Sequence, residues 1–443
     1  MNRKKTGSAL RVKRKKLGIS LEDMADKMQL SPSTLSLIER GMENVKDEKY
    51  EDYAKQLGCS HLVGVVEEVE KKETELNNQL QKIEQIIIAN PTYGRKKLQQ
   101  LNNSEDLKIY PNINPIYLFL LGRCFFEDKD WLKAEEMLLN VLKEIKKSNE
   151  LNSSNLEAAC WNELSRISYF QNKIKQALQF TKNGLKCFKP NGDRLHYYYF
   201  LLLNQAVYYE KLNKMEKALQ ATERLENAIK SLNRNEIHLY VRTSVLIQMY
   251  DMYATIYNKM DSQEKALKYV EKGIRISWIN QDFDRLFTLL TTKGNILHRL
   301  NRTTEAEEHY KMAFDIRPKV KQKYLLPYNF TNLGVLLLEQ GKLEEAKKVV
   351  NKAIETSEKN NDLLSQTKSF LIMGKWYIKQ NLFNEAIPLF KKAEKIAEEH
   401  HFSGEYSEAI LYLCYCYEKQ QEYSNLQEYA LKLYKHKKLT IKE

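Results

Sequence analysis

The chain is poor in glycine and proline. Its 443 residues hold 15 glycines and 8 prolines, about 5% together, where soluble chains average about 12%. So few breakers exclude a collagen-like or Pro/Gly-rich disordered chain, and argue against a sandwich or barrel of short strands. Long apolar runs are missing as well. Stretches such as Ile116–Leu121 and Val335–Leu338 fall far short of the ~20 residues that span a bilayer. The basic start, MNRKKTGSALRVKRKK, lacks the apolar run that would make it a signal peptide. Cysteines are few and scattered: Cys59, Cys124, Cys160, Cys187, Cys414 and Cys416, with no C-x-x-C pair. That usage points to a reducing cytosol, not to a secreted disulfide framework. No phosphate-cradling glycine loop, nucleophile elbow or H-E-x-x-H is found. His400–His401 and Cys414-x-Cys416 point to different sides of a helix, which disfavours a shared metal. These absences give a soluble, cytoplasmic, non-enzymatic expectation, with no catalytic residue, metal, cofactor or membrane partner.

What is present is charge and repetition. Lys and Arg number 71 against 58 Asp and Glu, a net +13, and 42% of residues are hydrophobic, enough to build a core. Self-similarity then decides the fold class. The segments Gly294–Pro318, Gly334–Glu358 and Gly374–Glu398 share one pattern: an apolar helix, a small residue, a polar turn, then an alanine in a second helix. Gly294, Gly334 and Gly374 are 40 apart, and so are Ala306, Ala346 and Ala386. Weaker copies pair Gly122 with Ala134, Ser165 with Ala177, Ala206 with Ala218, Ala254 with Ala266, and Cys414 with Leu426. The offset is always 12. Two antiparallel helices approach closely where small residues meet. Larger residues such as Leu333, Leu337 and Val350 are then expected to fill the gap to the next pair.

These eight units, over about 115–440, resemble the tetratricopeptide repeat, with Pro318 where that family closes a repeat. The resemblance implies an all-α solenoid with a concave face lined by the first helix of each pair. The repeat register places Asn162, Arg166, Asn204, Asp251, Thr255, Thr291, Asn295, His298 and Asn332 on that face. Four are asparagines, whose amides pair with any peptide backbone. The cations Arg123, Arg166, Arg299 and Lys375 hint at an acidic ligand or a free carboxylate.

The first sixty residues do not follow the repeat. They read as helices over Gly7–Leu17, Leu21–Met28, Pro32–Arg40 and Asp47–Leu57. Ser20 with Asp23, and Ser31 with Pro32, are start signals, and Gly41 is a stop. The segment SLEDMADKMQLSPSTLSLIERG resembles the lambda-repressor-like, Xre-type DNA-binding domain through Ala25, Leu30-Ser31, Leu35, Ile38 and Glu39-Arg40-Gly41. It departs from the family at Leu21, where a phosphate-bracing glutamine is common, and at Gln29, where glycine is frequent. The resemblance implies a recognition helix at Pro32–Arg40 in the major groove. It leaves Ser33, Thr34, Ser36 and Leu37 to read bases, counts Ser31 and Pro32 among the DNA-binding residues, and pairs Arg14 with Glu39. Lys4, Lys5, Arg11, Lys13, Arg40 and Lys46 are the phosphate candidates. Arg3–Lys16 holds eight cations and no acid.

Between the two parts, Leu62, Val66, Val69, Leu76, Leu80, Ile83 and Ile87 follow 4-3 spacing in a long helix. It could pair with a second copy or dock on the first repeat. The expected divisions are 1–60 for the helix-turn-helix domain, 61–90 for the linker helix and 91–443 for the repeats. In this order the chain resembles the Rap/Npr/Plc/Prg group of quorum-sensing receptors, above all its Npr-type members. The resemblance implies a peptide-responsive transcriptional regulator, forming a homodimer or higher oligomer on a palindromic double-stranded DNA operator, with a short signalling peptide in the groove. Two relatives of that reading are a phage arbitrium-type lysis-lysogeny receptor and a Rap-like protein that sequesters a response regulator.

Overall fold

The computed structural model describes residues 2–42, 45–59, 62–145, 151 and 154–441, and among these every regular element is a helix. Four short helices form the head: α1 (Arg3–Lys16), α2 (Leu21–Lys27), α3 (Pro32–Glu39) and α4 (Asp47–Gln56). Helix α1 starts earlier than expected, because the Asn2 side chain accepts from the Lys5 N–H at 3.2 Å and caps it. Gly7 lies inside α1 instead of opening it. A Cβ there would stand 2.2 Å from the Ile38 carbonyl oxygen, so the missing side chain lets α1 cross the end of α3. The head core is Leu10, Met24, Ala25, Leu35, Ile38, Tyr50, Tyr53 and their neighbours.

Helix α5 (Leu62–Ala89) and helix α6 (Pro91–Ser104) follow. The buried face of α5 runs through Val65, Val69, Leu76, Leu80, Ile83 and Ile87. It shares one core with Ala9 and Val12 of α1, Leu98 of α6, and Phe119 and Leu120 further on. The 4-3 seam is therefore closed within the chain. Val65 takes the place expected of Val66, which is only half-buried. The side chain of Leu62 and the 60/61 boundary fall outside the described residues.

Eight helix pairs then succeed one another: α7 (Asn114–Glu127) and α8 (Trp131–Ile145), α9 (Leu156–Phe170) and α10 (Ile174–Cys187), and α11 (His196–Lys211) and α12 (Met215–Lys230). The extra helix α13 (Arg234–Tyr240) accounts for the wider spacing between Ala206 and Ala254. The series continues with α14 (Thr243–Lys259) and α15 (Gln263–Ile279), α16 (Phe283–Arg299) and α17 (Thr303–Ile316), α18 (Leu326–Glu339) and α19 (Leu343–Asn360). It ends with α20 (Leu363–Ile378) and α21 (Phe383–Glu399), then α22 (Ser403–Lys419) and α23 (Tyr423–Ile441). The chain divides into two compact units, 1–204 and 205–443. The boundary between these units falls within α11, and α5 and α6 share a core with α1 and α7.

Where the small residue of a first helix is glycine, the side chain nearest to it is not the expected alanine. A Cβ on Gly294 would stand 2.5 Å from the Tyr310 ring, on Gly374 2.5 Å from Phe390, and on Gly334 2.6 Å from Val350. The residue sixteen positions on fills the space above the glycine. Val350 thus packs within its own pair, and it shares a core with Leu333 and Leu337 and with Ile372, Met373 and Trp376 of the next pair. Each first helix also ends in one residue of left-handed backbone, seven after the small position: Lys129, Asn172, Asn213, Asp261, Asn301, Gly341, Asn381 and Gln421, with φ between 55° and 74°.

Candidate nucleic-acid interface and the polar residues of the repeats

The head is braced by one buried ion pair. Arg14 Nε and Nη2 donate to the two oxygens of Glu39 at 2.7 and 3.1 Å, and Arg14 Nη1 donates to the Ile19 carbonyl at 2.6 Å. The Tyr53 hydroxyl donates to Glu39 Oε1 at 2.5 Å. Burial and the adjacent Glu39 carboxylate push the Tyr53 hydroxyl upward, so it stays a donor. Arg14 is thus spent inside the head. Ser31 caps α3 by accepting from the Thr34 N–H at 3.1 Å, and its hydroxyl lies 2.8 Å from those of Ser33 and Thr34. Ser31, Pro32 and Ser33 are exposed; Thr34, Ser36 and Leu37 are half-buried, and Leu37 packs on the head core.

The phosphate candidates separate into two sets. Lys4, Arg40 and Lys46 are exposed, and Arg11 is 43% exposed at 4.0 Å from Glu39. Lys5 and Lys13 instead point to α5, pairing with Glu70 at 2.7 Å and Glu68 at 3.4 Å. Lys16 lies over the Tyr110 ring, 5.5 Å from its centroid. Residues 5, 9, 12, 13 and 16 share one face of α1, and Ala9 and Val12 carry that face onto α5. The sequence signal was the i, i+4 pattern in α1; its acidic partners lie more than fifty residues away.

In the first unit the groove candidates are joined to one another. Asn204 Nδ2 donates to Asn162 Oδ1 at 3.0 Å, and Asn162 Nδ2 donates to Glu163 at 3.1 Å. Arg166 pairs with Glu163 at 2.7 Å and stacks on Phe126, 4.2 Å from the ring centroid. Asn162 is buried, so its amide serves the network. Arg123 is largely buried too, 3.5 Å from Glu84.

In the second unit Asp251 accepts from the Thr292 hydroxyl at 2.8 Å. Burial lifts its carboxyl above the ordinary range against that bond. Glu210, missed in the sequence, is buried, but Lys259 at 2.5 Å and Lys211 at 3.3 Å outweigh burial and hold its carboxyl low. Asn295 donates to the Tyr328 hydroxyl at 2.9 Å and accepts from the Tyr310 hydroxyl at 2.6 Å. Tyr328, also missed, is 47% exposed. His298 stands 2.6 Å from Glu339, and Thr255 is half-buried. Two residues depart from expectation. Thr291 is wholly buried; its hydroxyl donates to the Phe287 carbonyl and accepts from Asn329. Asn332 donates to the Tyr328 carbonyl of its own helix. The remaining cations are also engaged: Arg299 with Asp261 at 2.7 Å and Lys375 with Glu408 at 2.5 Å.

Family models match twice: helix-turn-helix over residues 10–63, and tetratricopeptide repeat over 247–277, 287–320 and 328–360. The chain joins a helix-turn-helix head to tetratricopeptide repeats. Its fold is that of two solved receptors. A Rap protein complexed with Competence and Sporulation Factor is 15% identical, with 85% of this chain and 99% of that chain covered and a TM-score of 0.61. The apo form of the quorum sensor NprR from B. thuringiensis is 18% identical, with 84% and 99% covered and a TM-score of 0.60. NprR has also been solved in complex with its cognate peptide NprX, at a TM-score of 0.53. Regulatory protein RapK of Bacillus subtilis is 23% identical over 257 residues, 57% of this chain. The helix-turn-helix and repeat chain spans 66% of RapK, just under two thirds of its length. Among the described residues no helix is long and apolar enough to cross a membrane.

Proposed function

We propose that the chain is a DNA-binding regulator whose repeats bind a short signalling peptide. The observation that carries the DNA half is the exposed Ser31–Ser33 turn at the start of α3, held by a head whose Arg14–Glu39–Tyr53 brace is complete. Ser33, Ser36 and Leu37 face bases, while Lys4, Arg11, Arg40 and Lys46 take phosphates. Lys5 and Lys13 hold the head to α5. Two copies on a palindromic operator would set their heads about 34 Å apart, or a multiple of it. The peptide half rests on polar side chains of the first helices, taken unit by unit: Arg166 and Asn204 in the first, where buried Asn162 holds Asn204, and Asp251, Thr255, Asn295 and His298, with Glu210 and Tyr328, in the second. The likeness to NprR, solved with its cognate peptide, supports it.

Fluorescence anisotropy on double-stranded DNA across a salt series tests the reading. Arg40→Gln and Lys46→Gln are each expected to lower the salt slope by about one. Lys5→Gln and Lys13→Gln are expected to leave that slope unchanged. Absence of DNA binding at low salt, with or without peptide, overturns the DNA half. It would favour the second reading, a Rap-like protein that sequesters a response regulator, which the fold likeness to Rap supports.

A further inference from the structure

One second helix breaks the charge pattern of the others. Helices α12, α15, α17, α19 and α21 each carry an acid in the first turn. Helix α10 carries none there, and from Leu164 to Gly192 the chain holds six cations and no acid. The exposed residues of α10 are Lys175, Gln176, Gln179, Lys182 and Lys186, three cations and two amides. Spacings of seven and four put the three lysines within about 20° of one line along the helix. Lys173 and Lys189, also exposed, extend the charge at either end. Among the described residues none of these five lysines has an ion-pair or ring partner. Second-helix lysines elsewhere are covered: Lys347 lies over Trp376, Lys352 over Phe314 and Lys392 over Phe370, and Lys311 pairs with Glu307. The helix dipole favours Lys186 in the last turn of α10 but disfavours Lys175 in the first. Lys182 and Lys186, four apart, are a like-charge pair that weakens a helix. The stripe therefore opposes the helix that carries it, which points to a partner outside the chain.

We propose that α10 is a second DNA contact, laid along the phosphate backbone of the duplex that the head reads. From Lys175 to Lys186 the stripe is about 16 Å long, which faces about five phosphates of one strand. Lysine and glutamine side chains hold phosphate and sugar oxygens without reading sequence. The face lacks the exposed apolar side chains by which a basic helix enters a bilayer. The second repeat and the head are both fixed to α5: Arg194 Nη2 lies 3.5 Å from Glu84, and Lys5 Nζ lies 2.7 Å from Glu70. Fourteen residues of α5 separate these two anchors, about 21 Å or about six base pairs of duplex. The proposal rests on the DNA reading above and extends its contact beyond the head.

The test is fluorescence anisotropy of the full chain on a random-sequence duplex of about 40 bp across a salt series. The triple variant Lys175→Gln/Lys182→Gln/Lys186→Gln is expected to lower the salt slope by about 0.9 for each lysine. Arginine at the same three positions is expected to keep the slope, since the charges stay. Lys268→Gln/Lys348→Gln/Lys395→Gln removes the same charge from exposed positions of α15, α19 and α21, and is expected to leave the slope unchanged. An equal fall in both glutamine triples would trace the effect to bulk charge and overturn the second contact. A slope unmoved by the α10 triple, while Arg40→Gln still lowers it, overturns that contact and leaves the reading of the head standing. In that case, loss of polyglutamate binding by the same triple would assign the stripe to an acidic protein. Absence of DNA binding by the wild type at low salt overturns both.

Discussion

The head and the repeats both pack helices through glycine, yet their glycines meet different things. In the head, a Cβ on Gly7 would strike the Ile38 and Glu39 carbonyl oxygens, and one on Gly41 would strike the Lys4 backbone at 2.4 Å. In the repeats, Gly294, Gly334 and Gly374 face the side chains of Tyr310, Val350 and Phe390. Backbone cannot be exchanged by mutation, whereas a side chain can. The head is therefore a fixed object whose close approach admits one residue. The repeats are a steric code in which a smaller residue sixteen positions on can offset a larger one. The same spacing of sixteen pairs Ala254 with Val270, which share a core, and Ser165 with Thr181.

The sharpest test of this contrast is Gly7→Ala. With backbone oxygens at 2.2 and 2.9 Å, the cost is expected to exceed the usual overpacking range of about 1–3 kcal/mol. Hydrogen exchange should show α1 and α3 losing protection together while the repeats keep theirs. Protection unchanged in the head would mean that α1 slides freely along α3, and the contrast would fail.

Gly294→Ala is the milder counterpart, expected to cost about 1–3 kcal/mol because the Tyr310 ring must move. The double variant Gly294→Ala/Tyr310→Val recreates the Ala254–Val270 pair. It is expected to recover most of the loss beyond the ~1 kcal/mol or more that truncating a buried tyrosine brings. A double variant no better than the sum of the two singles would show that position n+16 does not read position n. Tyr310 also donates to Asn295, so peptide retention by Tyr310→Val separates packing from the polar face.

How legible all this was depends on sequence distance. The helix pairs, the small residue and the alanine twelve on were plain because repetition averages over local noise. So were the Ser20 and Ser31 caps and the Arg14–Glu39 pair, which the family likeness implied. The size match at n+16 was equally present at a period of 40, in Tyr310, Val350 and Phe390, but it shows only once two columns are compared by volume. What could not be read were contacts between distant segments. Lys5 and Lys13 looked free because Glu70 and Glu68 belong to another helix. Arg194 belongs to no helix, so no register pointed to it. Thr291 shows the limit of register itself. It holds the same place relative to Gly294 as Asp251 does to Ala254, yet Asn329 covers it.

The smallest expected effect concerns the left-handed residue seven after each small position, which the head has too, in Gln29 at φ 52°. Side chains strain this backbone region, glycine least and asparagine less than most. The repeats spell the position with four asparagines, one aspartate and one glycine, but also with Lys129 and Gln421. Lys129→Gly and Gln421→Gly are expected to stabilise their turns by up to about 1 kcal/mol, partly offset by the freedom glycine restores to the unfolded chain. Asn301→Gly should change little, and Gly341→Ala should destabilise by about 1 kcal/mol. Gln29→Gly in the head should follow the Lys129 sign, since its strain is local in the same way. Local hydrogen exchange is the fitting measurement, because a repeat array need not unfold in one step. A gain at Lys129 with a loss at Gln29 would show that the head reads the residue at this turn beyond its backbone angle, and would draw the line between the two regions at side chains as well as at glycines.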